Sequence, residues 1–178
     1  MRLRFACFFA LALAGSANAQ APVPTPPPAC DTAEHRAFDF WVGEWLVSRA
    51  DTGAKVAESR IEKLYAGCAI RENWMPVGGT GGGSLNAYDP QARVWRQSWA
   101  DSSGAWVDFS GGVVDKTIVL NGLWRSYLAP SKDALIRMTY RKRDDGSVTQ
   151  TGEQSTDFGK SWSIAFLFIY RPKTGKTP

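Results

Sequence analysis

Leu135–Ser155 reads LIRMTYRKRDDGSVTQTGEQS, and this stretch decides the fold. Ile136, Met138 and Tyr140 alternate with Arg137, Thr139 and Arg141, the period-two pattern of a strand with one buried face. Asp145-Gly146 is a hairpin signal, because such turns need backbone angles that Asp and Gly adopt readily. Val148–Ser155 then returns as a second strand. The stretch predicts an antiparallel hairpin.

The same grammar extends in both directions. Strands are expected at Gly43–Ala50, Val56–Tyr65, Cys68–Met75, Ser84–Tyr88, Val94–Ala100 and Ala105–Ser110. Thr117–Leu120, Leu123–Leu128 and Ser161–Arg171 complete the set. Between them lie Asp51-Thr52-Gly53, Asp89-Pro90, Asp101–Gly104 and Asn121-Gly122 as turns, and Gly78–Gly83 as a flexible loop. Alternation puts Cys68, Ile70, Glu72 and Trp74 on one face, and Trp95, Gln97 and Trp99 on another. Trp162, Ile164, Phe166, Phe168 and Tyr170 share a face of the last strand. About ten short strands joined by tight turns make an antiparallel meander, which must close or split to hide its edges. An all-β up-and-down barrel is the first expectation, with a sandwich as the alternative.

Asp31-Thr32 caps a short helix reaching about Phe40, whose aromatic end (Phe38, Phe40, Trp41) suits a plug. Gly43-Glu44-Trp45 then opens the first strand. It places a Trp where it closes one end of a barrel, with Arg171 as the cation to stack on it.

The N-terminus carries targeting chemistry. Arg2 and Arg4 precede the apolar run Phe5–Ala14, and Ala17-Asn18-Ala19 is a small-x-small cleavage site, so residues 1–19 read as a signal peptide. A Pro-rich linker over residues 20–34, a barrel over 35–171 and a basic tail over 172–178 follow. The expected product is exported, periplasmic or secreted, with no transmembrane segment. Cleavage lowers Lys+Arg from 21 to 19 against 17 acids, so the formal charge falls from +4 to +2 and a nucleic-acid partner loses its support. It also removes Cys7 and leaves Cys30 and Cys68, which an oxidising compartment pairs as a disulfide. A reactive or metal-binding thiol pair is the alternative.

Composition narrows the chemistry. Of 178 residues 44% are hydrophobic, with 8 Trp, 17 Gly and 1 His, which suits a sheet and disfavours a zinc or haem site. The sole imidazole, His35, sits in the N-terminal helix, a poor place for a Ser-His-acid triad. No cofactor, metal or catalytic set is expected. Gly175-Lys176-Thr177 imitates a phosphate loop, but Tyr170 stands where its first Gly belongs. Ser155-x-Asp157-x-Gly159-x-x-Trp162 matches an Asp-box hairpin, occurs once, and reads as turn chemistry in which Asp157 bonds backbone donors.

Phe38-Asp39-Phe40-Trp41-Val42-Gly43-Glu44-Trp45 resembles the hallmark of an uncharacterised bacterial family of secreted lipocalin-like (calycin-type) domains. The likeness continues through Gly67-Cys68, Glu72-x-Trp74, Ser84-Leu85-Asn86-x-Tyr88-Asp89 and Trp95-x-Gln97-x-Trp99-x-Asp101, and ends in the Asp157 turn and Tyr170. Phe158 and the apolar Leu167-Phe168-Ile169 depart from it. The resemblance implies a small exported barrel. It brings no established activity and therefore no catalytic residue.

The remaining lead is the interior. Trp74, Trp95, Trp99 and Trp106 are candidates for stacking on a small hydrophobic ligand, and Glu72, Asn86, Gln97 and Glu153 for orienting it. The competing reading is a core network whose polar groups merely satisfy one another. An inverted register would put Gln97 and its Trp neighbours in solvent. An enzyme with Glu72 or Glu153 as acid or base, and an envelope interaction module with an exposed apolar patch, are the other function classes. Oligomeric state is not legible.

Overall fold

The computed structural model describes residues 30–173; the signal segment, most of the Pro-rich linker and most of the basic tail lie outside the described residues. Ten antiparallel strands close into a barrel in the order β1-β10-β9-β8-β7-β6-β5-β4-β3-β2, so every strand pairs with its sequence neighbour and β1 with β10. They are β1 (Gly43–Arg49), β2 (Lys55–Leu64), β3 (Ala69–Pro76), β4 (Gly82–Asp89) and β5 (Val94–Asp101). The second half comprises β6 (Trp106–Val114), β7 (Thr117–Ala129), β8 (Lys132–Lys142), β9 (Val148–Ser155) and β10 (Ser163–Pro172). The quoted hairpin forms as read, with Tyr140 opposite Gln150 and Ile136 opposite Gln154.

Two expectations about the strands are corrected. Asn121-Gly122 does not turn: β7 runs straight through it, because a Cβ at Gly122 would lie 2.5 Å from the Asp108 carbonyl oxygen, so Gly there permits β6 and β7 to pack closely. Nor is Gly78–Gly83 one loop. Gly82 and Gly83 belong to β4, and a Cβ on Gly83 would meet the Glu72 carbonyl oxygen at 2.4 Å, so these glycines serve close strand approach.

One end of the barrel is filled by the chain itself. Helix α1 (Ala33–Arg36) is capped by Thr32, whose hydroxyl accepts from the His35 amide, and a 3-10 turn (Asp39–Trp41) follows. Phe38 and Trp41 stack at 4.8 Å and are fully buried, with Trp95 and Tyr140 edge-on to Phe38 at 5.5 and 4.9 Å. Each such ring contributes on the order of 3 kcal/mol of transfer free energy. The plug is anchored by the Trp95 indole donating to the Glu34 carbonyl (3.1 Å) and by Lys63 on Asp39 (2.7 Å). The expected Cys30–Cys68 disulfide is present, with a Cα–Cα distance of 4.9 Å, and ties the start of the described chain to the foot of β3.

Trp45 does close this end: it is buried and its indole donates to the Trp41 carbonyl at 2.9 Å. Gly43, at φ +150°, lies directly under that indole, where a Cβ would be 3.3 Å from its ring. Arg171, however, is not its cation. It pairs with Leu46 on the outer face and donates to Ser48, because strand alternation sends residues 45 and 171 to opposite faces. Among the described residues, the cation–π pair is instead Arg137 over Trp162, 4.3 Å from the ring.

Candidate functional site

At the end opposite the plug the barrel is not filled. A cavity of about 180 Å³ opens there, its upper wall built by Trp74, Trp99, Trp124, Tyr127, Phe166 and Phe168. The wall is ordered by ring packing: Phe166 stacks on Phe168 at 4.5 Å, and Phe168 on Trp74 at 5.8 Å. A bulge between Ile164 and Phe166 sets this arrangement. It turns Ile164 outward, contrary to the expectation that it shares a face with Phe166, and starts the inward series at Phe166. Gly152 makes room for it, since a Cβ there would lie 2.3 Å from the Phe166 ring.

The floor is polar. Glu72, Gln97, Tyr140, Gln150 and Tyr170 reach it from five different strands. Ser59 and Ser84 donate to the two oxygens of Glu72 at 3.1 and 3.2 Å. Asn86 donates to Ser84 and to the Ile70 carbonyl, and accepts from Gln97 at 2.7 Å. Gln97 and Gln150 both donate to the Tyr140 hydroxyl, and the Tyr170 hydroxyl donates to Gln150 at 2.7 Å. A connected network of this kind fixes each rotamer and leaves few unsatisfied atoms. Among the described residues, the buried side-chain atoms without a partner are Asp39 Oδ1 and Trp41 Nε1, both in the plug segment.

Electrostatically the floor is unusual in one respect. Glu72 is 5% exposed, and among the described residues no Lys, Arg or His lines the cavity with it. Burial pushes its pKa up to about 7, against the smaller opposing effect of the Ser59 and Ser84 hydroxyls. Burial and the neighbouring Glu72 hold the Tyr140 and Tyr170 phenols above their ordinary range, so both stay protonated.

The residues singled out from sequence divide in a regular way. Glu72, Trp74, Gln97 and Trp99 meet at the cavity, and Asn86 stands behind Gln97 in the floor network. Trp95 points inward but at the plug end, a half-barrel away, because alternation sets the face and not the height along the axis. Trp106 is 61% exposed and its indole donates to Asp108 outside the barrel, since Val107 and Phe109 take the inward positions of β6. Glu153 also lies on the outer face, in a two-bond ion pair with Arg137 at 2.8 Å, which lowers its pKa and excludes it as an interior acid. The Asp157 turn forms as read: Asp157 accepts from the Ser161 amide and from Ser155, Ser155 accepts from the Gly159 amide, and Trp162 donates to the Gly159 carbonyl.

Sequence reasoning missed most of the wall and three of the five floor residues. Tyr140, Phe166, Phe168 and Tyr170 were legible as an inward series but not as neighbours of one cavity. Gln150 carried little signal, because after Val148 the strand β9 has no apolar residue to mark its inner face.

Fold and site together define a closed up-and-down barrel, plugged at one end, with an aromatic cavity over a polar floor at the other. No family model matches the chain, and no curated protein matches it either. Among the described residues, no helix is long and apolar enough to cross a membrane, and no group of three or more His, Cys, Asp or Glu is placed to hold a metal ion.

Proposed function

We propose that this is an exported binding protein that holds a small, mostly apolar ring compound in the half-open cavity. The observation that carries the reading is the division of the barrel: the chain's own aromatics fill one half, and the other half keeps an aromatic wall above converging polar atoms. That composition is usual for a small-molecule site. The size restricts the ligand. A cavity of about 180 Å³ is close to the ~150 Å³ that accommodates benzene and below the ~300–1,000 Å³ of drug-sized pockets, so one or two rings fit and a tetrapyrrole does not. Export is supported by the signal-like Met1–Ala19 and by the disulfide. The resemblance to secreted lipocalin-like domains agrees with the barrel without adding a ligand.

The test is calorimetric titration of the oxidised chain with one- and two-ring aromatics, a long-chain fatty acid and a tetrapyrrole. Ring compounds are expected to bind with a dissociation constant of about 1 mM or tighter, or at least about 4 kcal/mol. Trp99→Ala weakens them and Trp106→Ala, on the outer face, does not. Equal sensitivity to both, or no binding across the ring panel, sinks the reading.

A second reading is favoured by Glu72. A carboxyl poised near neutrality beside a cavity suits a general acid or base. Recovery of bound ring ligand unchanged after long incubation argues for binding; conversion that disappears in Glu72→Gln argues for catalysis.

A further inference from the structure

The floor of the cavity holds a charge-bearing group that the wall does not require. Ser59 and Ser84 donate to Glu72, and a neutral amide would serve a purely structural network at lower desolvation cost. Trp74, Trp99, Trp124 and Phe168 line the same cavity as Glu72, and aromatic ring faces attract cations through their quadrupoles. Among the described residues, no positively charged side chain lines the cavity to compete for the carboxylate.

We infer that the cavity selects an organic cation, a one-ring aralkyl amine, whose ammonium group seats on Glu72 while its ring lies against the Trp74–Phe168–Phe166 stack. This rests on the reading of the cavity as a ligand site and specifies its ligand class. Anionic rings are disfavoured by like charge, and neutral rings forgo the ion pair. The groups facing Glu72 from the surrounding strands are Ser59, Ser84, Gln97, Tyr140 and Tyr170. Of these only the two tyrosines titrate, and both remain neutral across the working range. Amine binding below neutrality therefore displaces one proton, the one on Glu72, and weakens about tenfold for each pH unit below about 7.

Three ligands of matched size separate the possibilities: 2-phenylethylamine, 2-phenylethanol and phenylacetate, each titrated calorimetrically into the oxidised chain. At about pH 8 the amine is expected to bind at least about tenfold more tightly than the alcohol, with phenylacetate weakest. At about pH 6, heats in buffers of different ionisation enthalpy are expected to show nearly one proton released by the amine and none by the alcohol. Glu72→Gln is expected to bind amine and alcohol alike. The proton count needs only the wild-type chain and stands if that variant does not fold. An alcohol bound as tightly as the amine, an amine bound without proton release, or a preference that survives in folded Glu72→Gln overturns the inference alone. No binding by any of the three, nor by other rings, overturns the ligand-site reading with it.

Discussion

Replacing Glu72 by Gln removes a buried carboxyl that is held by neutral donors alone, and its effect on stability is set by pH. In the folded chain Glu72 titrates at about 7, against an ordinary 4.5 when unfolded. Below about pH 4.5 both states carry the proton and the network is at full strength. As pH rises the unfolded chain releases its proton first, while the folded chain holds on until about 7. Stability therefore falls across this window, by about 3 kcal/mol in all for a single group so shifted. Glu72→Gln cannot titrate, so its stability relative to wild type climbs by about 3 kcal/mol between about pH 4 and pH 8. Acids held low by surface partners, such as Asp51, Glu58 and Asp157 at about 2, act in the opposite sense at lower pH and cancel in the difference. Urea unfolding of both proteins across this range, with the disulfide intact, reads the difference directly. A gap between the two that stays constant with pH would refute the reasoning, because it would mean that Glu72 is hydrated in the folded state.

Gly152→Ala places a methyl group against the Phe166 ring and forces it toward the cavity, so ligand affinity should drop at least about tenfold while stability falls by about 1–3 kcal/mol; titration and urea unfolding separate the two. Phe158 is 91% exposed at φ +60°, a backbone state that Asn tolerates better, and Phe158→Asn should stabilise by about 0.5–1 kcal/mol in thermal unfolding. Replacing both Cys30 and Cys68 by Ser opens a loop of 38 residues, and the chain-entropy argument sets the loss of stability at up to about 4 kcal/mol, with hydrogen exchange rising first in α1.

What the sequence disclosed follows from what alternation encodes. Ile136, Met138 and Tyr140 declared their face because their neighbours are Arg and Thr, and the Asp-Gly turn fixed where the strand reverses. The barrel and its plug were legible on those grounds. The site was legible only in part, because period two gives a side chain's face but not its height along the barrel axis. Trp95 and Trp99 are both inward and four residues apart, yet one packs under the plug and the other lines the cavity. At Trp106 beside Val107 the larger aromatic drew the inward choice although the smaller Val107 takes the buried place, and at Glu153 beside Gly152 alternation had no apolar residue to mark the inner face. The Phe166 bulge was invisible because nothing in Ser163–Phe168 interrupts the apolar run.

The seam between β1 and β10 sets Trp45 opposite Pro172, joining the two ends of the described chain. Every other ladder is a local hairpin that forms as soon as its two strands exist. Among the described strands this one depends on the greatest loop closure, so it is the step expected to delay folding and to be completed last. Until then β1 offers a bare edge to other molecules, and the plug, which rests on Tyr140 and Tyr170 as well as on β1, has no finished socket. Folding of this barrel is thus expected to be slow and concentration-sensitive up to the moment of closure, and resistant to unfolding after it.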